Sequence, residues 1–266
     1  MLTPPDADLA HARVTDPDGA FVARGAGEQV LGSAWAAVRE DTLLLLALDV
    51  EPAQRGRGVG GALLGAARAY GSTRAARFLE VLAPNEPDAL AFLLRAGLSF
   101  RALVLELEAA AIPAERRDAS PSLALTPVGP GAALSGWIAA LDRETRGFAR
   151  PRDWGRGVEQ GRVVSLKRGG RPVAVGAWEE ATGAAVRTVA LGPIAAKTPE
   201  AAAEMLLLLA ARFPGKRLSL ALPSEARILL DAAAALGFRA VSSRALLTDR
   251  TRGDLRRYAG GGGRFF

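Results

Sequence analysis

The stretch Leu48-Asp49-Val50-Glu51-Pro52-Ala53-Gln54-Arg55-Gly56-Arg57-Gly58-Val59-Gly60-Gly61-Ala62-Leu63-Leu64 decides the fold. Glycines at 56, 58, 60 and 61 let the chain approach a ligand closely, and the spacing of Leu63, Leu64 and Ala67 predicts a helix whose first turn carries their amides. Free N–H groups at the positive end of a helix dipole favour phosphate, and Arg55 and Arg57 add charge suited to a diphosphate. A glycine-rich turn serving only tight packing is the competing reading. Two other phosphate loops can be tried on the same residues. Gly56, Gly58 and Gly61 satisfy G-x-G-x-x-G, and Glu80 falls about where the ribose-binding acid of a dinucleotide fold would stand. That turn follows its strand almost at once and opens the first βα unit, whereas here residues 51–55 intervene and several strands precede. No Lys-Ser/Thr pair follows the glycines, which excludes a nucleotide-triphosphate loop.

Working outward, the 266 residues hold no cysteine and one histidine, His11. A cysteine nucleophile, a cysteine-based zinc site and disulfides are impossible, and His11, near the chain start, reads as a solvated side chain. Proton transfer must then rest on carboxylates, tyrosines or water. No metal site is expected. Residues 1–10 lack a basic flank and an apolar core, and the longest apolar runs fall far short of the roughly 20 residues that span a bilayer. The expectation is a cytoplasmic protein without a membrane partner. Only three of the 34 basic residues are lysine (Lys167, Lys197, Lys216), and the arginines are dispersed, so no nucleic-acid partner is expected.

The net charge of +6 divides unevenly. Residues 1–118 hold 12 Arg and 16 acids, leaving 22 basic residues and 12 acids in 119–266, so −4 becomes +10. The change falls in a polar stretch with Pro113 and Pro121, read as a linker over 111–121 between domains 1–110 and 122–250, with a Gly/Arg-rich tail at 251–266. The first half predicts strands over 9–14, 21–24, 30–38 and 42–50, the helix after the glycines, a strand over 77–82, a helix over 87–96 stopped by Gly97, and a strand over 98–107. The second half predicts a strand over 122–128, helices over 131–145 and 151–159, a hairpin of 162–167 with 173–178, and a strand over 185–194. A helix over 199–212, a strand over 217–222, a helix over 224–236 ending at Gly237 and a strand over 238–247 follow. The matching helix-Gly-strand ends imply an internal duplication. Tyr70 reads as packed against the sheet, Tyr258 as part of a mobile tail, and the Phe148–Trp154 segment as a surface helix start or a face toward a ligand.

The opening stretch resembles motif A of the GNAT family of N-acetyltransferases: Arg55-Gly56-Arg57-Gly58-Val59-Gly60 follows Val50-Glu51-Pro52, as R/Q-x-x-G-x-G/A follows V-x-P. The likeness continues through Leu79-Glu80-Val81, Asn85 and Ala96-Gly97-Leu98, covering about residues 21–108, while residues 122–250 resemble a degenerate second copy. The resemblance implies an α/β (α+β) fold of two GNAT-like domains, each a mixed, mostly antiparallel splayed sheet flanked by helices. It implies acetyl-CoA as cosubstrate, with its pyrophosphate on the amides of Arg55, Gly56, Arg57, Gly58, Val59, Gly60 and Gly61. The pantetheine arm would pair with the backbone from Leu48 to Val50, and Asn85 would approach it; helix capping is the alternative role for Asn85.

The chain departs from the family at Leu93, which stands where a tyrosine commonly protonates the departing thiolate. Asp49 and Glu80 are the candidate bases for a small-molecule or peptide amine, and structural roles compete for both. The expected activity is N-acyl transfer by direct attack of the amine on the thioester. The alternative is an inactive acyl-CoA sensor. The two helices that usually line the acceptor groove are missing from the first half and present in the second, which suggests that the second half contributes to acceptor recognition. Its +10 charge favours a carboxylate-bearing acceptor, although arginine preference explains that charge equally well.

Overall fold

A computed structural model describes residues 6–110, 125–129, 136–180 and 188–261. They form two compact units: residues 6–101 with Arg244–Thr251, and the described residues of 102–243 with 252–261.

In the first unit, α1 (Asp6–Thr15) leads to β1 (Ala20–Arg24), β2 (Val30–Arg39), β3 (Thr42–Val50), α2 (Val59–Thr73), β4 (Phe78–Pro84) and α3 (Pro87–Arg95). Strand β5 (Ser99–Ala109) begins here, and β11 (Arg239–Thr248) ends here. The sheet order is β1-β2-β3-β4-β11; β3–β4 is parallel and the other pairs are antiparallel. Helix α2 turns Leu63, Leu64, Ala67 and Tyr70 onto Leu43, Leu45, Leu79 and Val81, as its apolar spacing predicted. The strand expected over 9–14 is helix instead. Ala10, Ala12 and Val14 alternate as a strand would, but the alanine-rich run favours helix, and only Ala12 of the three is buried while Val14 stands 81% exposed. His11 is half-buried, and its carbonyl accepts from the Thr15 hydroxyl.

A buried polar cluster fastens the end of α1 to the sheet. Arg39 Nη1 lies 2.6 Å from Asp16 Oδ2, both side chains 2% exposed, and Asp16 Oδ1 also accepts from the Val38 amide at 2.9 Å and from the Tyr70 hydroxyl at 3.0 Å. Burial alone would raise the Asp16 pKa, but the Arg39 charge and these hydrogen bonds outweigh it and hold the carboxyl below its usual value. Tyr70, packed against the sheet as expected, is pushed up to about 12 by burial first and then by Asp16, so it remains the donor.

The second unit takes the rest of β5, then β6 (Thr126–Pro127), α4 (Gly136–Arg146), α5 (Pro151–Glu159), β7 (Val163–Arg168), β8 (Arg171–Glu180), β9 (Thr188–Ala196), α6 (Pro199–Ala211), β10 (Arg217–Pro223), α7 (Arg227–Ala235), the start of β11 and β12 (Tyr258–Ala259). Its sheet runs β5-β10-β9-β8-β7-β6, with β12 beside β9; β9–β10 is parallel and the other pairs are antiparallel. The expected linker at 111–121 lies outside the described residues, as do residues 122–124 of the strand expected over 122–128, of which Thr126–Pro127 is strand. The Phe148–Trp154 segment carries the expected helix start, α5 at Pro151 with Pro151 and Arg152 exposed, but it is partly core: Phe148, Arg150 and Trp154 are buried, with Arg150 paired to Asp142 at 2.6 Å. Tyr258 is likewise no mobile residue but wholly buried, because the segment around it pairs with β9.

Both halves stop their last helix in the same way. Gly97 (φ +89°) and Gly237 (φ +90°) follow α3 and α7, and the next amides, Leu98 and Phe238, return to the carbonyls of Leu93 and Ala233 at 3.2 and 3.0 Å. The strands that follow are exchanged between units. Residues 104–109 of β5 pair with β10 in the second unit, whereas Arg244–Thr248 of β11 pair with β4 in the first.

Two expectations arise from this arrangement. Arg39→Met leaves Asp16 buried without its cation and should lower stability to urea by about 3–5 kcal/mol. In the wild type the contribution of Asp16 is complete above the ordinary carboxylate value and is lost as pH falls below it through the depressed one. A chain cut after residue 118 lacks the partner of β4 at Glu80–Pro84 and should melt broadly by circular dichroism; a sharp melt at the full chain's Tm would contradict the exchange.

Candidate active site

Strand β3 carries four consecutive leucines, Leu43 to Leu46, all 5% exposed or less. Its antiparallel register with β2 runs from Arg39↔Thr42 to Ala36↔Leu45 and resumes at Trp35↔Ala47, so Leu46 is an extra residue, a β-bulge. On its other edge β3 pairs with β4 only from Thr42↔Phe78 to Leu45↔Val81. Among the described residues no strand pairs with that edge from Ala47 to Val50. The bulge and the end of the parallel ladder coincide.

The bulge also reverses which side chains face which way. Before it, Leu43 and Leu45 join the core under α2; beyond it, Leu48 and Val50 pack on that core, so Ala47 and Asp49 face away. On β4, Leu79, Val81 and Ala83 belong to the same core, which places Glu80 on the opposite face as well. Both candidate carboxylates therefore stand on the sheet face away from α2, together with Ser33, which pairs with Asp49 across β2–β3. Without the extra residue Asp49 would point into the core. Asp49 is half-buried beyond the last β3–β4 pair, whereas Glu80 is buried within the ladder, between Leu44 and Thr248.

After β3 a short 3-10 turn, Pro52–Gln54, leads to Arg55, whose Nε donates to the Val50 carbonyl at 3.3 Å. Gly56 (φ +74°) and Gly58 (φ +85°) are left-handed, and a Cβ at either would meet open space, so conformation rather than crowding requires glycine there. Gly58 caps α2 without a side-chain bond, and the Ala62 amide makes the first ladder bond, to the Gly58 carbonyl at 3.0 Å. The amides of Val59, Gly60 and Gly61 precede that bond. Arg55 and Arg57 are exposed beside them. A Cβ on Gly60 would lie 3.5 Å from the Phe92 ring and 3.6 Å from Val50 Cγ2, so Phe92 borders the helix start. Asn85 is exposed one residue before Glu86, and Glu86 rather than Asn85 is the N-cap of α3. Leu93, 3% exposed in the core, offers no proton.

The residues suit a cosubstrate with two phosphates and an amide-containing arm. A helix start with ladder-free amides and two arginines accepts the anion, and an unpaired strand edge accepts an extended amide chain as an added strand. The structure places the glycine loop at the start of α2 and both candidate carboxylates on one sheet face; the bulge, the position of Ser33 and that of Phe92 were not foreseen from the sequence. Register across β2–β3 is the only signal for Ser33, and four leucines in a row conceal the change of parity.

Family models match both halves of the chain. Residues 2–98 match the family described as Acetyltransferase (GNAT) family, and residues 138–255 match the Acetyltransferase (GNAT) domain. The chain belongs to the GNAT acetyltransferase family, with two GNAT domains in tandem. A structure from Pyrococcus horikoshii described as an acetyltransferase is similar at a TM-score of 0.70 and 16% identity, covering 95% of this chain and 81% of that one. A GCN5-related N-acetyltransferase from Sphaerobacter thermophilus gives 0.60 and 14%, covering 90% and 83%. A tandem GNAT protein from the clavulanic acid biosynthesis pathway gives 0.57 and 17%, covering 93% and 88%. At these identities the likeness shows the fold. A search of the curated proteins finds no match. Among the described residues no helix is long and apolar enough to cross a membrane, and no group of three or more His, Asp or Glu is placed to hold a metal ion.

Proposed function

We propose that this GNAT protein transfers an acyl group, acetyl by family expectation, from acyl-CoA bound on the first unit to an amine. The observation that carries the reading is the parallel ladder ending at Leu45↔Val81 on the strand whose following turn and glycine loop lead into a helix start with ladder-free amides. The pyrophosphate lies on the amides from Arg55 to Gly61, and the arm follows β3 from Leu48 to Val50 with Asn85 across from it. A neutral amine attacks the thioester carbon on the face that carries Asp49 and Glu80. The C–N bond forms, the C–S bond breaks, and the amine's surplus proton passes to a carboxylate directly or through water. Asp49 is the favoured base, because it lies beside the unpaired edge, while Glu80 sits inside the ladder. With Leu93 in the tyrosine position, the departing thiolate takes its proton from solvent. A thiol of ordinary pKa, about 8.5, leaves as thiolate without strong acid help.

Leu93 also motivates the second reading, an acyl-CoA-binding protein without turnover. Both readings require the same cosubstrate site. Saturable acetyl-CoA binding with no CoA release across a broad panel of small-molecule and peptide amines would favour the sensor.

Gly60→Asp tests the site. An aspartate in the first helical turn suits the helix dipole and has room for its Cβ beside Phe92, so folding should survive. Its carboxylate opposes the pyrophosphate, and calorimetric acetyl-CoA affinity should fall at least about tenfold, or 1.4 kcal/mol. Undiminished affinity would refute the loop assignment. For catalysis, Asp49→Ala should lower kcat by about 10²–10⁴ with little change in acetyl-CoA affinity, and Glu80→Ala should act mainly on thermal stability. The reverse pattern would exchange their roles.

A further inference from the structure

Strand β9 repeats the anatomy of β3. Its register with β8 passes from Gly176↔Ile194 to Trp178↔Leu191, so Gly192 and Pro193 together oppose Ala177 and one residue is extra. Its parallel pairing with β10 covers Thr188↔Arg217 to Ala190↔Ser219 and stops, and α6 follows it as α2 follows β3. This split is occupied. Tyr258 and Ala259 pair antiparallel with Ala195 and Ile194 of β9. On the other side Gly260 bridges to Ala221 of β10: its amide donates to the Ala221 carbonyl at 2.8 Å, and the Ala221 amide donates back at 3.1 Å. One segment thus bonds to both strands where their own ladder has ended.

Side chains and glycines keep the segment there. Tyr258 and Ala259 are fully buried, and the guanidinium carbons of Arg146 and Arg150 each lie 5.4 Å from the Tyr258 ring centre. Arg257 Nη1 donates to the Lys197 carbonyl at 2.8 Å. At the bulge the approach is backbone on backbone. A Cβ on Gly192 (φ +123°) would fall 2.6 Å from the Gly260 carbonyl oxygen, and one on Gly261 would fall 2.8 Å from the Gly192 oxygen. The start of α6 is also served from within. Thr198 Oγ1 accepts from the Ala201 amide at 3.2 Å, and Glu200 in the first turn is held below its usual pKa by its own backbone amide and then by Thr198.

We propose that the split between β9 and β10 is a slot for an extended peptide backbone and that its resident is this chain's own Tyr258–Gly260, standing where a pantetheine arm lies in the first unit. The chain therefore holds one acyl-CoA and not two. The parallel with pantetheine rests on the reading under Proposed function; the seating of the peptide does not.

The test combines calorimetry of the full chain with acetyl-CoA and amide hydrogen exchange. One acetyl-CoA per chain, bound at least about tenfold more weakly in Gly60→Asp, is expected, with the Gly260 and Ala221 amides exchanging as slowly as those in the β9 core. Gly192→Ala should accelerate exchange at those two amides, and Gly261→Ala, which meets the same backbone, serves if the first variant fails to fold. Two acetyl-CoA per chain, binding undiminished in Gly60→Asp, or rapid wild-type exchange at Gly260 and Ala221 would overturn the proposal. Absence of binding with slow exchange at both amides would overturn the first-unit reading and leave the peptide seated.

Discussion

A parallel strand pair that ends early creates a debt of hydrogen bonds, since every backbone donor and acceptor removed from water needs a partner. This constraint acts twice in the chain. In the first unit β3 and β4 part after Leu45 and Val81, and in our proposal the edge of β3 beyond them receives a ligand of backbone-like chemistry. In the second unit β9 and β10 part after Ala190 and Ser219, and a returning segment of the chain meets both strands. The duplicated fold has thus met the same geometric demand in two ways, and the loop chemistry agrees: left-handed Gly56 and Gly58 lead into an open helix start in one copy, and Thr198 caps the other.

Local signals were legible in the sequence to a useful degree. The limits of β3 and α5 match their expected ranges, because a leucine run bounded by turn residues and a Pro-led amphipathic segment are strong local patterns. The glycine loop was legible for the same reason: its φ values need glycine whatever surrounds it. Helix α1 was misread because the alternation of Ala10, Ala12 and Val14 fits a strand while alanine itself favours helix, and burial, which decides between them, is a tertiary property.

What stayed hidden is non-local. Nothing near residue 244 announces that Arg244–Thr248 will pair with β4, and nothing in Leu43 to Leu46 marks Leu46 as the extra residue that turns Asp49 to the face of Glu80. Tyr258 was misjudged through its glycine-rich surroundings. Those glycines read as flexibility, whereas their smallness lets two backbones approach at Gly192 and Gly261. Composition could not separate these meanings, because a missing side chain serves motion in one place and contact in another.

The exchanged strand also sets a timetable for synthesis. The Leu79 amide finds its carboxylate partner in Asp249, 170 residues later in the chain. At about 5–20 residues per second, roughly 10–30 s separate the emergence of β4 from that of the segment that covers its edge. During that interval the half proposed to bind the cosubstrate lies on the ribosome with an unfinished sheet, exposed to wrong pairing. Completion of the first unit thereby becomes conditional on translation passing Asp249, and a product truncated before Arg244 lacks part of both units.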